Sequence, residues 1–229
     1  MFLFTRSLAT LSTHGARQLR PHFHFWPDLF SPTEQRLLLF AALHMLDSNE
    51  SRQFQRRRKR LLQSNEQSVS LPPKDVSDLF LPDQYYDFEE GHYDGVIHHF
   101  REMHLSSWPS QEGLSTVLNK LYAMCPTQGT QTHLLHLSTR GQVLPHIDNV
   151  SASGSWIMGL SLGAQRVLRM ESIHAKHDCF DVLLPSGSLY LQKDDLRYQY
   201  KHSIIKDDRH PNTSGQRLSV MIRDSCPRA

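Results

Sequence analysis

The sequence contains no apolar stretch approaching the ~20 residues that a membrane-crossing helix needs. Its longest candidate, residues 37–46, is too short and is interrupted by His44. Cysteine is scarce: Cys125, Cys179 and Cys226 are odd in number and form no CxxC. A disulfide scaffold and a zinc knuckle are therefore disfavoured, and a reducing compartment fits. No internal repeat is evident. Acidic residues are absent before Asp28.

That last absence has a counterpart in what replaces the acids. The first 27 residues hold Arg6, Arg17 and Arg20 together with Thr5, Ser7, Thr10, Ser12 and Thr13. A basic, hydroxyl-rich, acid-poor start has the composition of a mitochondrial transit peptide, whereas a secretory signal needs a longer apolar core than residues 1–4 supply. The expectation is a leader over residues 1–27 and a single domain over 28–229. Setting aside the three arginines takes the formal net charge from +2 to −1. General attraction to nucleic acid is thus not written into the charge of the domain.

Along the chain, Ser31-Pro32-Thr33-Glu34 predicts a helix start, with Ser31 as cap, Pro32 in the first turn and Glu34 completing a capping box. Residues 37–46 then supply a buried face. The run Arg56-Arg57-Arg58-Lys59-Arg60 reads as a solvated helix end, with an RNA-binding or acidic-partner patch, or a nuclear signal, as the sharper alternatives. Residues 61–84 are polar and carry Pro72, Pro73 and Pro82, so a surface loop or insertion is expected there. Leu114, Val117, Leu118, Leu121 and Tyr122 follow helical spacing and predict an amphipathic helix within 109–124.

From about residue 132 the texture changes. Short apolar or alternating runs at 133–137, 156–162, 167–170, 180–184, 188–192, 198–205 and 218–222 are separated by turn signals. These breaks are Arg140-Gly141, Gly163, Pro185-Ser186-Gly187, Lys193-Asp194-Asp195 and Pro211-Asn212. Many short strands with regular turns predict an antiparallel sandwich or jelly roll. The predicted class is α+β, with helices first and then a β core.

Fifteen histidines make any single one weak evidence. His146-Ile147-Asp148 stands out because residues two apart on a strand share a face. An imidazole and a carboxylate would then point together into the β core. With a second imidazole they would make the two-His, one-carboxylate face that leaves iron with open positions for an oxygenase. His202, in the strand-like run 198–205, is the best-placed partner. His174, His177 and His210 compete from more polar, loop-like contexts. His133 and His136, three apart, face opposite ways on a strand.

A second signal is Arg217-Leu218-Ser219-Val220-Met221-Ile222-Arg223. Leu218, Val220 and Ile222 share one face of a strand; Arg217, Ser219, Met221 and Arg223 share the other. Arginine at both ends of a covered face is costly unless anions meet it. Six residues span roughly 20 Å, and each guanidinium reaches on the order of 6 Å inward. The gap left suits a five-carbon dicarboxylate, with Ser219 on the same face between the arginines. Edge arginines in surface ion pairs are the plainer alternative.

HxD, a distant His and Arg-x₅-Arg, in that order, resemble the AlkB family of iron(II)/2-oxoglutarate dioxygenases, most of all its mitochondrial branch. Pro145-His146-Ile147-Asp148, Gly159-Leu160-Ser161-Leu162, Pro185-x-Gly-Ser-Leu-Tyr190, His202-x-Ile204, the segment from Ile97 to Glu102 and Trp108 carry the likeness, which covers about residues 28–225. It implies a double-stranded β-helix with Fe(II) held by His146, Asp148 and His202. It also implies 2-oxoglutarate held by Arg217, Arg223 and Tyr190, O₂ as second co-substrate, and a mitochondrial matrix location. Where DNA-repair members carry Asn and Tyr before the HxD, this chain has Leu135 and Leu137, which weakens base repair more than 2-oxoglutarate use. The resemblance further implies protein hydroxylation linked to regulated necrosis and fatty-acid metabolism. The alternatives are demethylation of mitochondrial RNA, with Tyr85, Tyr86, Phe88, Tyr93 and the 56–60 cluster as its surface, and a non-catalytic adaptor with a structural metal site.

Overall fold

In the computed structural model, residues 17–65, 75–206 and 214–225 are described. The chain opens with strands β1 (Arg17–Arg20) and β2 (Phe23–Trp26), then helices α1 (Pro32–Asn49) and α2 (Arg52–Asn65). After 3-10 turns at Val76–Leu79 and Asp83–Tyr85 come β3 (Glu89–Gly91), β4 (Ile97–Leu105) and α3 (Leu114–Tyr122). The remainder is β5 (Thr130–His146), β6 (Trp156–Gly163), β7 (Arg166–Ser172), β8 (Cys179–Leu184) and β9 (Leu189–Lys193). A short helix α4 (Asp194–Gln199) and strands β10 (Tyr200–Ile205) and β11 (Arg217–Asp224) complete the elements.

The strands run in the order β1-β2-β9-β6-β11-β5-β10-β7-β8, with β4 on β5 and β3 on β4. All these pairings are antiparallel. The sheet curls into the jelly roll of an α+β protein because β5 is long enough to serve both walls. Its first half pairs with β11 and its last residues pair with β10. The fold-over lies near Gly141, where a Cβ would sit 2.7 Å from Leu137 Cβ and 2.8 Å from the His99 carbonyl. Only glycine tolerates that approach. Arg140-Gly141 therefore bends a strand, and the turn expected there does not form.

Two apolar clusters follow from strand alternation. Leu134, Met158, Leu160, Leu162, Leu218, Val220 and Ile222 face α1 and α3 outside the roll. Leu135, Leu137, Ile157, Leu168, Met170 and Ile204 fill the inside. The capping box at Ser31 and Glu34 forms as expected, and Leu38, Leu39, Ala42 and Leu46 cover the sheet.

Several expectations need correction. Residues 61–65 continue α2, and Val76 is buried in the outer core. The segment 61–84 is thus not simply a surface loop, although residues 66–74 lie outside those described. Tyr198 and Gln199 end α4, so the strand begins only at Tyr200. Phe23–Trp26 pairs with β9 and Phe23 is fully buried. A leader reaching residue 27 would remove this strand; residues 1–16 lie outside those described.

The basic run is not uniformly solvated either. Arg58 is buried and pairs with Glu50 and Asp47. Arg101 donates to Asp47 at 2.6 Å, to Glu50 at 2.7 Å and to His136 Nδ1 at 2.9 Å. The Arg101 guanidinium lies 4.1 Å from the Tyr86 ring centroid. These ion pairs fasten α1 and α2 to the back of β4. Arg101→Ala leaves buried carboxylate charge under-paired and is expected to cost about 3 kcal/mol, the lower end for a broken buried pair because Arg58 remains on Glu50. Urea unfolding of the variant measures it.

Candidate metal and dicarboxylate site

Inside the roll, between β4, β5, β10 and β11, lies a cavity of about 490 Å³. A corner that could hold a metal ion is built where β5 ends against β10. His146, the last residue of β5, stands directly opposite His202 on β10, and their rings are 4.2 Å apart. Asp148 follows in the loop after β5, so strand parity does not extend to it. The turn nevertheless brings its Oδ1 to 3.3 Å from His146 Nε2. One ligand atom from each of His146, Asp148 and His202 lies within 4.8 Å of the others. Among the competitors, His174 and His177 are exposed in the β7–β8 turn, and His210 lies outside the described residues.

The electrostatics suit a divalent cation. Burial would raise the Asp148 pKa, but the hydrogen bond from His146 and the electrostatic influence of His202, Arg223 and His146 outweigh it and hold the carboxyl well below its usual range. Burial pushes His202 down to about 3, so its imidazole is neutral and its lone pair is available. For His146, burial works downward, but the hydrogen bond and charge of Asp148 leave the pKa raised. A metal must displace that proton. Metal affinity is therefore expected to fall as pH drops through the His146 pKa, by about tenfold per unit once the imidazolium dominates. Cobalt(II) titrations across a pH series check this.

The dicarboxylate side is carried by β11. Arg217, Ser219, Met221 and Arg223 face the cavity, while Leu218, Val220 and Ile222 face the helices. Arg217 is 1% exposed. Its Nε donates to Ser161 Oγ at 2.9 Å, while Nη1 is buried without a hydrogen-bond partner. No carboxylate among the described residues pairs with it, and burial pulls its pKa down to about 10. Arg223 Nη2 lies 3.3 Å from Asp148 Oδ1, and its Nε is also unpartnered. Tyr190 on β9 is buried at the cavity wall, raised in pKa by desolvation. Its ring occupies the space above Gly159, where a Cβ would meet it at 2.5 Å.

A metal with a chelating dicarboxylate fits these residues. Asp148 Oδ2, Arg217 Nη1 and Arg223 Nε are buried polar atoms without hydrogen-bond partners, an acceptor that a cation would satisfy and two donors that carboxylates would satisfy. Such atoms are costly unless a ligand satisfies them.

The structure also brings to the cavity residues to which the sequence pattern gave no place in this site. Glu102 and His104 project from β4, Gln131 and His133 from β5, and His92, Tyr93 and Asp94 from the loop after β3. The alternation Glu102-x-His104 was the available signal, but without the pairing of β4 with β5 its direction was unknown. Leu135 lines the cavity and Leu137 is buried inside the roll, so both leucines make apolar wall.

This fold and constellation define a class that comparison identifies. A family model for the 2OG-Fe(II) oxygenase superfamily matches residues 23–223, and the chain belongs to that superfamily. Within it, the chain is 33% identical over 143 residues to the alpha-ketoglutarate-dependent dioxygenase alkB homolog 7, mitochondrial, of Mus musculus. It is 33% identical over 147 residues to the protein of the same name from Bos taurus. Each match covers 59% of this chain and 65% of the relative, a little under two thirds of those proteins' length. The AlkB resemblance is thus borne out. A solved structure titled "The structure of OsALKBH1" has a TM-score of 0.53 at 13% identity, covering 90% of this chain and 99% of that one. This likeness is one of fold.

Proposed function

We propose that the chain is an iron(II)- and 2-oxoglutarate-dependent dioxygenase that hydroxylates a C–H bond of a protein in the mitochondrial matrix. The observation that carries the chemistry is the His146–Asp148–His202 cluster sharing one cavity with the unpaired Arg217 guanidinium. When bound, iron(II) with 2-oxoglutarate and O₂ supplies the oxidising power, with succinate and CO₂ as co-products.

The chain's own residues position and exclude. Asp148 contributes the site's negative charge, and His146 and His202 contribute neutral nitrogen donors. Arg217 offers its free nitrogen to the distal carboxylate, with Ser219 beside it on the same face. Arg223 bridges toward the metal end through Asp148, and Tyr190 closes the side wall. Leu135, Val143 and Met221 supply apolar wall between the charged groups of the cavity, which strengthens each charge interaction.

Location follows the word mitochondrial in the relatives' names and the composition of the N-terminus. The leader in this reading ends before Phe23, because β2 belongs to the roll. Involvement in regulated necrosis and fatty-acid metabolism belongs to the proposal through the family resemblance.

An RNA demethylase draws on the exposed Arg56, Arg57, Lys59 and Arg60. However, Tyr93 alone of that surface's aromatics lines the cavity, while Tyr86 is buried and, with Phe88, packs on His136 behind β5. The protein-substrate reading is therefore preferred. Succinate formation from 2-oxoglutarate, iron(II) and O₂ with candidate substrates tests the enzyme. Turnover no greater than that of His146→Ala would sink it and leave the adaptor.

A further inference from the structure

The cavity has two sides of different character. Arg217, Arg223 and Asp148 belong to the metal and co-substrate side. On the side formed by β4 and the loop before it stand Glu102 and Asp94, and among the described residues no lysine or further arginine lines the cavity. Glu102 sits among histidines: His133 Nε2 is 3.1 Å from its Oε2 and His92 Nε2 is 3.6 Å from its Oε1. His104 stacks on His133 with ring centroids 4.6 Å apart.

His133 is 6% exposed, yet neither ring nitrogen makes an aligned hydrogen bond among the described residues. Its contact with Glu102 is electrostatic and out of line. A buried, unpartnered imidazole aimed into a cavity next to a carboxylate is costly to maintain unless a ligand completes it. Burial works to raise the Glu102 pKa, but the close contact with His133 and the electrostatic influence of His133, His92 and His104 leave it lowered, so the carboxylate is charged.

We propose that this β4 side is a substrate subsite for a protein side chain with an alkyl stem and a cationic tip, lysine or arginine. The charge rests on Glu102, and the stem lies along Val96, Ile97, Leu135 and Val143, which line the passage toward the metal corner. This deepens the dioxygenase reading and rests on it. The reaction balances as R–H plus O₂ plus 2-oxoglutarate giving R–OH plus succinate plus CO₂. One oxygen atom enters the stem and the other enters succinate, and the 2-oxoglutarate is oxidised.

Charge also argues against a polynucleotide at this mouth. Phosphates would approach Asp94 and Glu102, a like-charge encounter that disfavours binding. The exposed arginines of α2 offer no remedy, because Arg101, next to Glu102 in β4, points to the opposite face, where it holds α1. Alternation along β4 thus puts the basic helix behind the wall that Glu102 fronts. Tyr93, 93% exposed at the rim, offers a ring face to an incoming cation.

The test uses the full chain with manganese(II) and 2-oxoglutarate, so that no turnover occurs. Fluorescein-labelled pentapeptides carry lysine, arginine, norleucine or glutamate at the centre, and anisotropy gives their affinities. Lysine and arginine peptides are expected to bind about tenfold tighter than norleucine, which has the stem without the charge. Glu102→Gln is expected to erase that difference, and Glu102→Lys to turn the preference toward the glutamate peptide. Equal binding of lysine and norleucine, or an unchanged preference in Glu102→Gln, overturns the subsite. Displacement of the lysine peptide by a short single-stranded RNA, dependent on Glu102, also overturns it. Calorimetry of 2-oxoglutarate binding is run alongside. A chain that fails to bind 2-oxoglutarate sinks the dioxygenase reading, whereas one that binds it without discriminating peptides sinks this subsite alone.

Discussion

Arg217→Met is expected to weaken 2-oxoglutarate binding by about a hundredfold while leaving the ligand-free protein as stable as before, or more so. The two effects have one cause. Arg217 is a guanidinium with almost no exposure, one hydrogen bond to Ser161 and no carboxylate partner among the described residues. Burying an uncompensated charge opposes folding, and replacing it with an apolar side chain of similar length removes that opposition. A charge-assisted pair with a carboxylate contributes about 1.5–3 kcal/mol, which corresponds to the stated loss at its upper end. Thermal unfolding with and without 2-oxoglutarate reads both. Wild-type protein should rise in Tm with ligand, as binding to the folded state alone requires. The variant should start at least as high and fail to rise. A variant that melts earlier and still responds to 2-oxoglutarate would assign Arg217 to the fold instead.

Asp148→Asn is expected to lower metal affinity by at least about a hundredfold, since even residues that only orient a ligand change it by 10–100-fold. Asparagine keeps the size and one oxygen but removes the negative charge among the three clustered ligands. The Arg223 guanidinium, 3.3 Å from Asp148 Oδ1, would then face the cation without an intervening carboxylate. The loss should therefore exceed that of His146→Ala, which keeps the charge. Calorimetric titration with cobalt(II) or manganese(II) at fixed pH checks the order. Equal affinities for wild type and Asp148→Asn would remove the metal from this corner.

The two arginines are legible in the amino-acid order because strand alternation is local. Five residues separate Arg217 from Arg223, and the apolar Leu218, Val220 and Ile222 among them dictate which face turns inward. Grouping His146 with Asp148 on strand parity names two side chains that the structure does bring together, but for a half-right reason: β5 stops at His146, and a loop, not the strand, delivers Asp148. Choosing His202 over other histidines depends on the strand-like run around it. Its register opposite His146 is a matter of which strands pair, and that is not a local property.

What the sequence by itself determined is chemical type. Helices precede a β core because periodicity changes near residue 132. A two-histidine, one-carboxylate set and a paired-arginine strand belong to it because residue identity and parity need no long-range information. Only the tertiary structure decided that β5 bends at Gly141 to serve both walls, that Phe23–Trp26 completes the roll, and that Arg58 and Arg101 lock the helices behind β4. It also decided that Glu102 and His133 face the metal corner across one cavity. Each of these depends on contacts between segments far apart in the chain, where burial and pairing override what any short stretch prefers. So it is with Arg217: its spacing proposed a dicarboxylate clamp, and its burial without a counter-ion gives the physical reason to expect one.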